Sequence, residues 1–188
     1  MKTLNQNKGI QLLADVRESF RDEIESKYEP AAKNCQMCEV QGTCCTDTHF
    51  VNVHISRLEA VAIKEAINDL EPAVLDRVIA RSEEAVEFLG SGFSDTYSCP
   101  LFEKGSGCLI HDTAKPFPCI NHACYENADD LPPSVLLEIS ERVIGKLNDA
   151  VYRSNWNWMP IPVWLRRVLG NSPQKESLAR ETHEKHEN

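Results

Sequence analysis

The chain has 188 residues, 41% hydrophobic and 26% charged, a composition ordinary for a globular domain that can bury a core without disulfides or metal. Its formal net charge of −9 and pI near 5.2 argue against a general nucleic-acid binder, because Arg166-Arg167 and Lys33 are too sparse to neutralise phosphates. The first twenty residues hold no continuous apolar run of the secretory kind, and no stretch nears the ~18 apolar residues of a membrane span, so a cytoplasmic setting with reduced thiols and no membrane partner is expected.

Residues 9–29 place Ile10, Leu13, Val16, Phe20, Ile24 and Tyr28 at steps of three or four, the pattern of an amphipathic helix that Pro30 ends. Residues 31–48 read as a loop. His49 to Ile55 alternates, as a short strand or an extended approach to the next helix would. Ser56-Arg57-Leu58-Glu59 has the spacing of a capping box and predicts a helix over about 57–70. Pro72 suits the first turn of another, running to about residue 89 and ended by Gly90-Ser91-Gly92.

The segment 91–130 has no sustained period and reads as irregular, with small hairpins near Cys99 and Cys108. A loop of that length needs something to fix it, and metal–thiolate bonds would do so. Pro132-Pro133-Ser134 opens a last long helix with Val135, Ile139, Val143 and Leu147 in its stripe. Residues 154–164 hold all three tryptophans, Trp156, Trp158 and Trp164. They would cover the core where helices meet, or form a docking surface or ligand lid. A short helix is expected from Val163 to Leu169, and a polar, disordered tail over 172–188. The expected fold is mainly α: one helical domain over 1–171, carrying an irregular cysteine-rich lobe over 33–125, with at most short strands or hairpins.

All eight cysteines lie in that lobe: Cys35, Cys38, Cys44 and Cys45, then Cys99, Cys108, Cys119 and Cys124. Thiolates are the soft ligands that zinc and iron–sulfur clusters select, and Cys-x-x-Cys lets two sulfurs converge on one ion. Four thiolates close one zinc site or one four-iron cluster, and eight could complete two. In an extended segment Cys44 and Cys45 would point in opposite directions. That implies either two centres, or one ligand beside a free, activated thiol. His49, His54, His111 and His122 are possible substitute ligands, His122 foremost because it lies between Cys119 and Cys124. Disulfides, a thioredoxin-like redox pair and scattered core cysteines compete with metal. The absence of a signal, the lack of a βαβ context and the confinement to irregular segments speak against each in turn.

The order Cys35-x-x-Cys38, Cys44-Cys45, a helical interval, then Cys99-Pro100-Leu101-Phe102, Gly107-Cys108-Leu109-Ile110-His111 and Lys115-Pro116-x-x-Cys119 resembles the YkgJ-type CxxCxxCC cysteine-cluster proteins. That family is known for a zinc- or iron-chelating domain. The likeness covers about residues 33–125. Lys115 stands where the family has Arg, His111 where it has Tyr, and Ile120 where it has a second Arg. The resemblance implies Cys35, Cys38, Cys44, Cys45, Cys99, Cys108 and Cys119 as the ligand set, and Cys124 joins it by proximity.

The expected function is therefore that of a metal-binding protein, a structural or regulatory module holding zinc or an iron–sulfur cluster. The chain has no Ser–His–Asp pattern, phosphate loop or H-E-x-x-H. Two alternatives stay open. One is an iron or iron–sulfur enzyme of redox or group-transfer chemistry, with Cys44 or Cys45 reactive and Asp47, His111 and His122 as acid–base groups. The other is a metal storage or delivery protein.

Overall fold

A computed structural model of the chain describes residues 3–33, 40, 42–46, 52–90, 93, 95–153 and 158–170. Five helices build the scaffold: α1 (Gln6–Lys27), α3 (Arg57–Ile67), α4 (Pro72–Leu89), α6 (Ser134–Tyr152) and α7 (Ile161–Gly170). Two short ones, α2 (Thr43–Thr46) and α5 (Phe117–Asn121), lie in the cysteine-rich stretches. The fold is mainly helical, as expected. Among the described residues, no helix is long and apolar enough to cross a membrane.

Helix α1 begins three residues earlier than its apolar stripe predicts, because the Asn5 side chain accepts from the Lys8 amide at 2.8 Å and caps it. The capping box at α3 forms as its spacing predicts: Ser56 Oγ accepts from the Glu59 amide at 3.2 Å, and Glu59 Oε2 from the Ser56 amide at 2.8 Å. Helix α3 stops at Ile67, short of the expected residue 70.

The strand expected over 49–55 appears as β1 (His54–Ile55); residues 47–51 lie outside the described ones. Its partner is distant in sequence. β1 pairs antiparallel with β4 (Met159–Pro160), and Trp164 Nε1 donates to the Ile55 carbonyl at 2.9 Å. Trp164 is buried, the core-covering role read from the sequence, while Trp158 is half-buried. Trp156 and the predicted tail lie outside the described residues.

Two apolar clusters fill the interior. One joins Ile63 and Ile67 of α3 to Val78 and Val86 of α4 and to Trp164 and Leu165 of α7. The other joins Leu58 of α3 to Leu13 and Phe20 of α1, Phe117 and Ile120 of α5 and Ile144 of α6. Helix α3 belongs to both and is buried on two faces. Helices α1 and α6 approach closely beside it: a Cβ on Gly9 would stand 2.5 Å from Val151 Cγ2.

Glu59 is a charged group inside this packing, 2% exposed. Burial pushes its carboxyl up to about 7 from an ordinary 4.5, against the Ser56 hydrogen bonds and the Arg17 charge that pull it down; Glu141 adds slightly to the rise. Below pH ~4.5 the group is protonated in both the folded and unfolded states. As pH rises towards about 7 the unfolded chain ionises first, so this contribution to stability is lost and then levels off. Denaturant titrations of metal-free protein between pH 4.5 and 8 should show Glu59→Gln removing a pH-linked loss on the order of 2–3 kcal/mol. Parallel wild-type and variant curves would refute this.

Candidate metal centre

The second cysteine batch is built onto both cores. Cys99 and Cys108 pack against the first cluster, and Tyr97, two residues before Cys99, is sunk within it. The Tyr97 hydroxyl donates to the Val53 carbonyl at 2.9 Å and accepts from the Ile161 amide at 3.2 Å, which ties this chain to the β1–β4 junction. A tight hairpin follows, as expected near Cys99 and Cys108: β2 (Phe102–Glu103) pairs with β3 (Gly107–Cys108). From α4, Arg81 grips the hairpin, Nη1 donating to the Phe102 carbonyl at 2.6 Å and Nη2 to Glu103 Oε2 at 3.0 Å; Arg77 meets the same carboxylate at 3.3 Å. These arginine contacts were not foreseen from the sequence. Cys119 rides on α5, whose neighbouring Phe117 and Ile120 are locked into the second cluster.

Cys44 and Cys45 are carried to the second batch by hydrogen bonds to their own turn's carbonyls. The Cys99 amide donates to the Cys45 carbonyl at 2.7 Å, and Ser98 Oγ to the Thr46 carbonyl at 3.0 Å. Gly42 makes this approach possible. It sits at φ +83°, and a Cβ there would stand 2.0 Å from Phe102 Cζ.

Cys44 and Cys45 differ from the expectation in one respect. They lie in a helical turn, not an extended segment, so the two thiols are not thrown to opposite sides. They hydrogen-bond to each other. The bond from Cys45 lowers the Cys44 thiol to about 6, burial opposes the drop, and the His122 and Lys115 charges assist it. Cys45 is pushed up, first by that same bond and then by burial. The shared bond favours ionising one thiol of the pair and disfavours ionising the other.

The other thiols share this electrostatic neighbourhood. Burial pushes Cys99 up to about 12, and the charges of Cys108 and Cys44 add to the rise. Burial also raises Cys119, with Cys99 and Cys108 adding to it, and raises Cys108, where Cys44 acts too. The charges of Cys44, Cys99, Cys108 and Cys119 thus add to the rise at neighbouring thiols of the lobe, while Cys44 itself is lowered. Among the described residues, however, no group of three or more His, Cys, Asp or Glu side chains is set out to hold a metal ion.

Cys124 is exposed and takes part through its main chain: its carbonyl accepts from the Lys33 amide at 2.8 Å, beside a bridge between Ala32 and Tyr125. Cys35, Cys38, Asp47 and His49 themselves lie outside the described residues. Of the remaining histidines, His122 is the one whose charge reaches Cys44. The His111 side chain is exposed, 4.0 Å from Asp112, and burial with the Lys115 charge lowers its pKa. His54 pairs with Asn52 Oδ1 at 3.0 Å and lines a separate groove of about 800 Å³ beside Trp158, Glu138 and Glu141.

Gly42→Ala should displace α2 from the Phe102 ring at a cost of ~1–3 kcal/mol, read as a lowered melting temperature with faster alkylation of Cys45. In metal-free protein Cys44 should alkylate with an inflection near pH 6, and Cys45→Ala should move that inflection upward towards the ordinary thiol value. An unmoved inflection would show that the bond between the two thiols is not the cause.

No protein-family model, curated protein or solved structure matches this chain. The likeness to the CxxCxxCC proteins therefore rests on the cysteine pattern alone.

Proposed function

We propose that this chain is a metal-binding protein whose cysteine lobe takes up zinc or an iron–sulfur cluster. The reading is carried by one observation. Thiols from four separate segments, Cys44 and Cys45, Cys99, Cys108 and Cys119, lie within reach of one another's charge in a lobe tied to both apolar cores, where burial makes most of the bare thiolates unfavourable; this supports the reading although no three of them are yet set out around an ion. Cys99, Cys108 and Cys119, with Cys44 or Cys45, are the residues that would hold the group, and Cys35 and Cys38 complete the set implied by the cysteine pattern. When bound, the metal would neutralise thiolate charge and cross-link the two halves of the lobe. A reducing, cytoplasmic setting belongs to this reading, because it leaves the thiols free to ligate. A structural or regulatory module for a protein partner suits it best, since a site closed by four thiolates keeps no position for substrate.

A second reading draws on the asymmetry of Cys44 and Cys45. A thiolate hydrogen-bonded by its neighbour is a nucleophile, and on this reading Cys44 acts chemically beside a centre held by the other cysteines.

Protein purified without oxygen should carry stoichiometric zinc without colour, or iron and sulfide with visible absorbance. Metal-free protein in which every thiol titrates and whose fold and stability are unchanged by added zinc or iron would sink the proposal. Chelation should speed amide exchange in residues 95–125 while α1, α3 and α6 stay protected. Cys44→Ser and Cys45→Ser, made separately, should lower metal content unequally if one of the pair is the free nucleophile. Equal losses favour the closed site.

A further inference from the structure

Arg17 lies on the buried stripe of α1, in line with Leu13, Phe20 and Ile24, and is only 6% exposed. Its Nη1 donates to the Thr113 carbonyl, 96 residues away, in the connection between Cys108 and Cys119. One turn on, Arg21 Nη2 donates to the His111 carbonyl of the same connection at 2.7 Å. Across the core, the charge of Glu59 faces Arg17.

This arrangement is a poor device for stability. Glu59 Oε2 is engaged by the Ser56 amide and hydroxyl at 2.8 and 3.0 Å, yet Glu59 Oε1 and Arg17 Nε are buried with no hydrogen-bond partner. Unsatisfied atoms of buried charged groups are unfavourable, and apolar side chains of similar size often serve a core as well or better. What an apolar side chain cannot do is hold a main-chain carbonyl.

We infer that Arg17, faced by the buried Glu59, is a positioning residue for the cysteine site, fixing the Cys108–Cys119 connection through the Thr113 carbonyl. Ala114 and Phe117 are buried just beyond Thr113, so the arginine sets the register in which α5 and Cys119 are presented. Arg21 supports the same connection from the exposed side of α1. The role in presenting Cys119 stands without metal; its effect on affinity rests on the metal-binding reading.

The test uses the full chain, metal-free and zinc-loaded, as wild type, Arg17→Met, Arg17→Lys and Leu13→Ala. Leu13→Ala loosens the same face of α1 without touching Thr113. Arg17→Met should alkylate at Cys108 and Cys119 about tenfold faster relative to Cys44, and bind zinc about tenfold more weakly in chelator competition. Arg17→Lys should recover part of both effects, and Leu13→Ala should speed all cysteines alike. Unchanged relative labelling in Arg17→Met, or a uniform rise matching Leu13→Ala, overturns the inference. If wild type takes up no zinc or iron but the selective labelling persists, the positioning role is supported and the metal-binding proposal fails.

Discussion

Helix α3 is buried on two faces, and the packing of the other helices depends on it. Leu58 turns towards α1, α5 and α6, while Ile63 and Ile67 turn towards α4 and α7. An element enclosed in this way cannot satisfy its first amides with water, so its start must be closed from within the protein. Ser56 and Glu59 do this, and the Leu58 amide donates to Oδ1 of Asn148 in α6 at 3.2 Å. The cap is therefore also a joint between helices, and a carboxyl group is enclosed in the core as a result.

The cysteine lobe extends this two-sided design. Cys99 and Cys108 belong to the side of α4 and α7, and Cys119 to the side of α1 and α6. Helix α2 is docked on Cys99 by main-chain bonds and by the Gly42–Phe102 contact. Arginines from opposite scaffold helices, Arg81 of α4 and Arg17 and Arg21 of α1, hold carbonyls in the intervening loops. Main-chain and arginine hydrogen bonds thus place the segments that carry the thiols.

Much of the scaffold was legible in the sequence because its signals are local. Pro72, the Ser56–Glu59 spacing and the stripe of Val135 to Leu147 each act within one or two helical turns. The Asn5 cap was equally local but precedes the apolar stripe, so periodicity alone missed it. The pairing of His54–Ile55 with Met159–Pro160 was not legible, since two-residue strands carry no periodic signal. Reading Cys44-Cys45 as extended missed a helical turn of only four residues, which leaves equally little pattern. Arg17 did leave a trace: a charged residue in register with Leu13, Phe20 and Ile24 marks a polar group on a buried face.

The bridge between Ala32 and Tyr125, with the bond from Lys33 to Cys124, closes the lobe across more than ninety residues of chain. During synthesis Cys45 emerges more than fifty residues before Cys99, whose amide it binds. At roughly 5–20 residues per second, that interval lasts about 3–11 s. Cys35 to Cys45 are then thiols on a nascent chain with no lobe around them, open to oxidants and to any available metal. The order in which this chain is made, and not only its final packing, therefore governs which chemistry reaches its cysteines first.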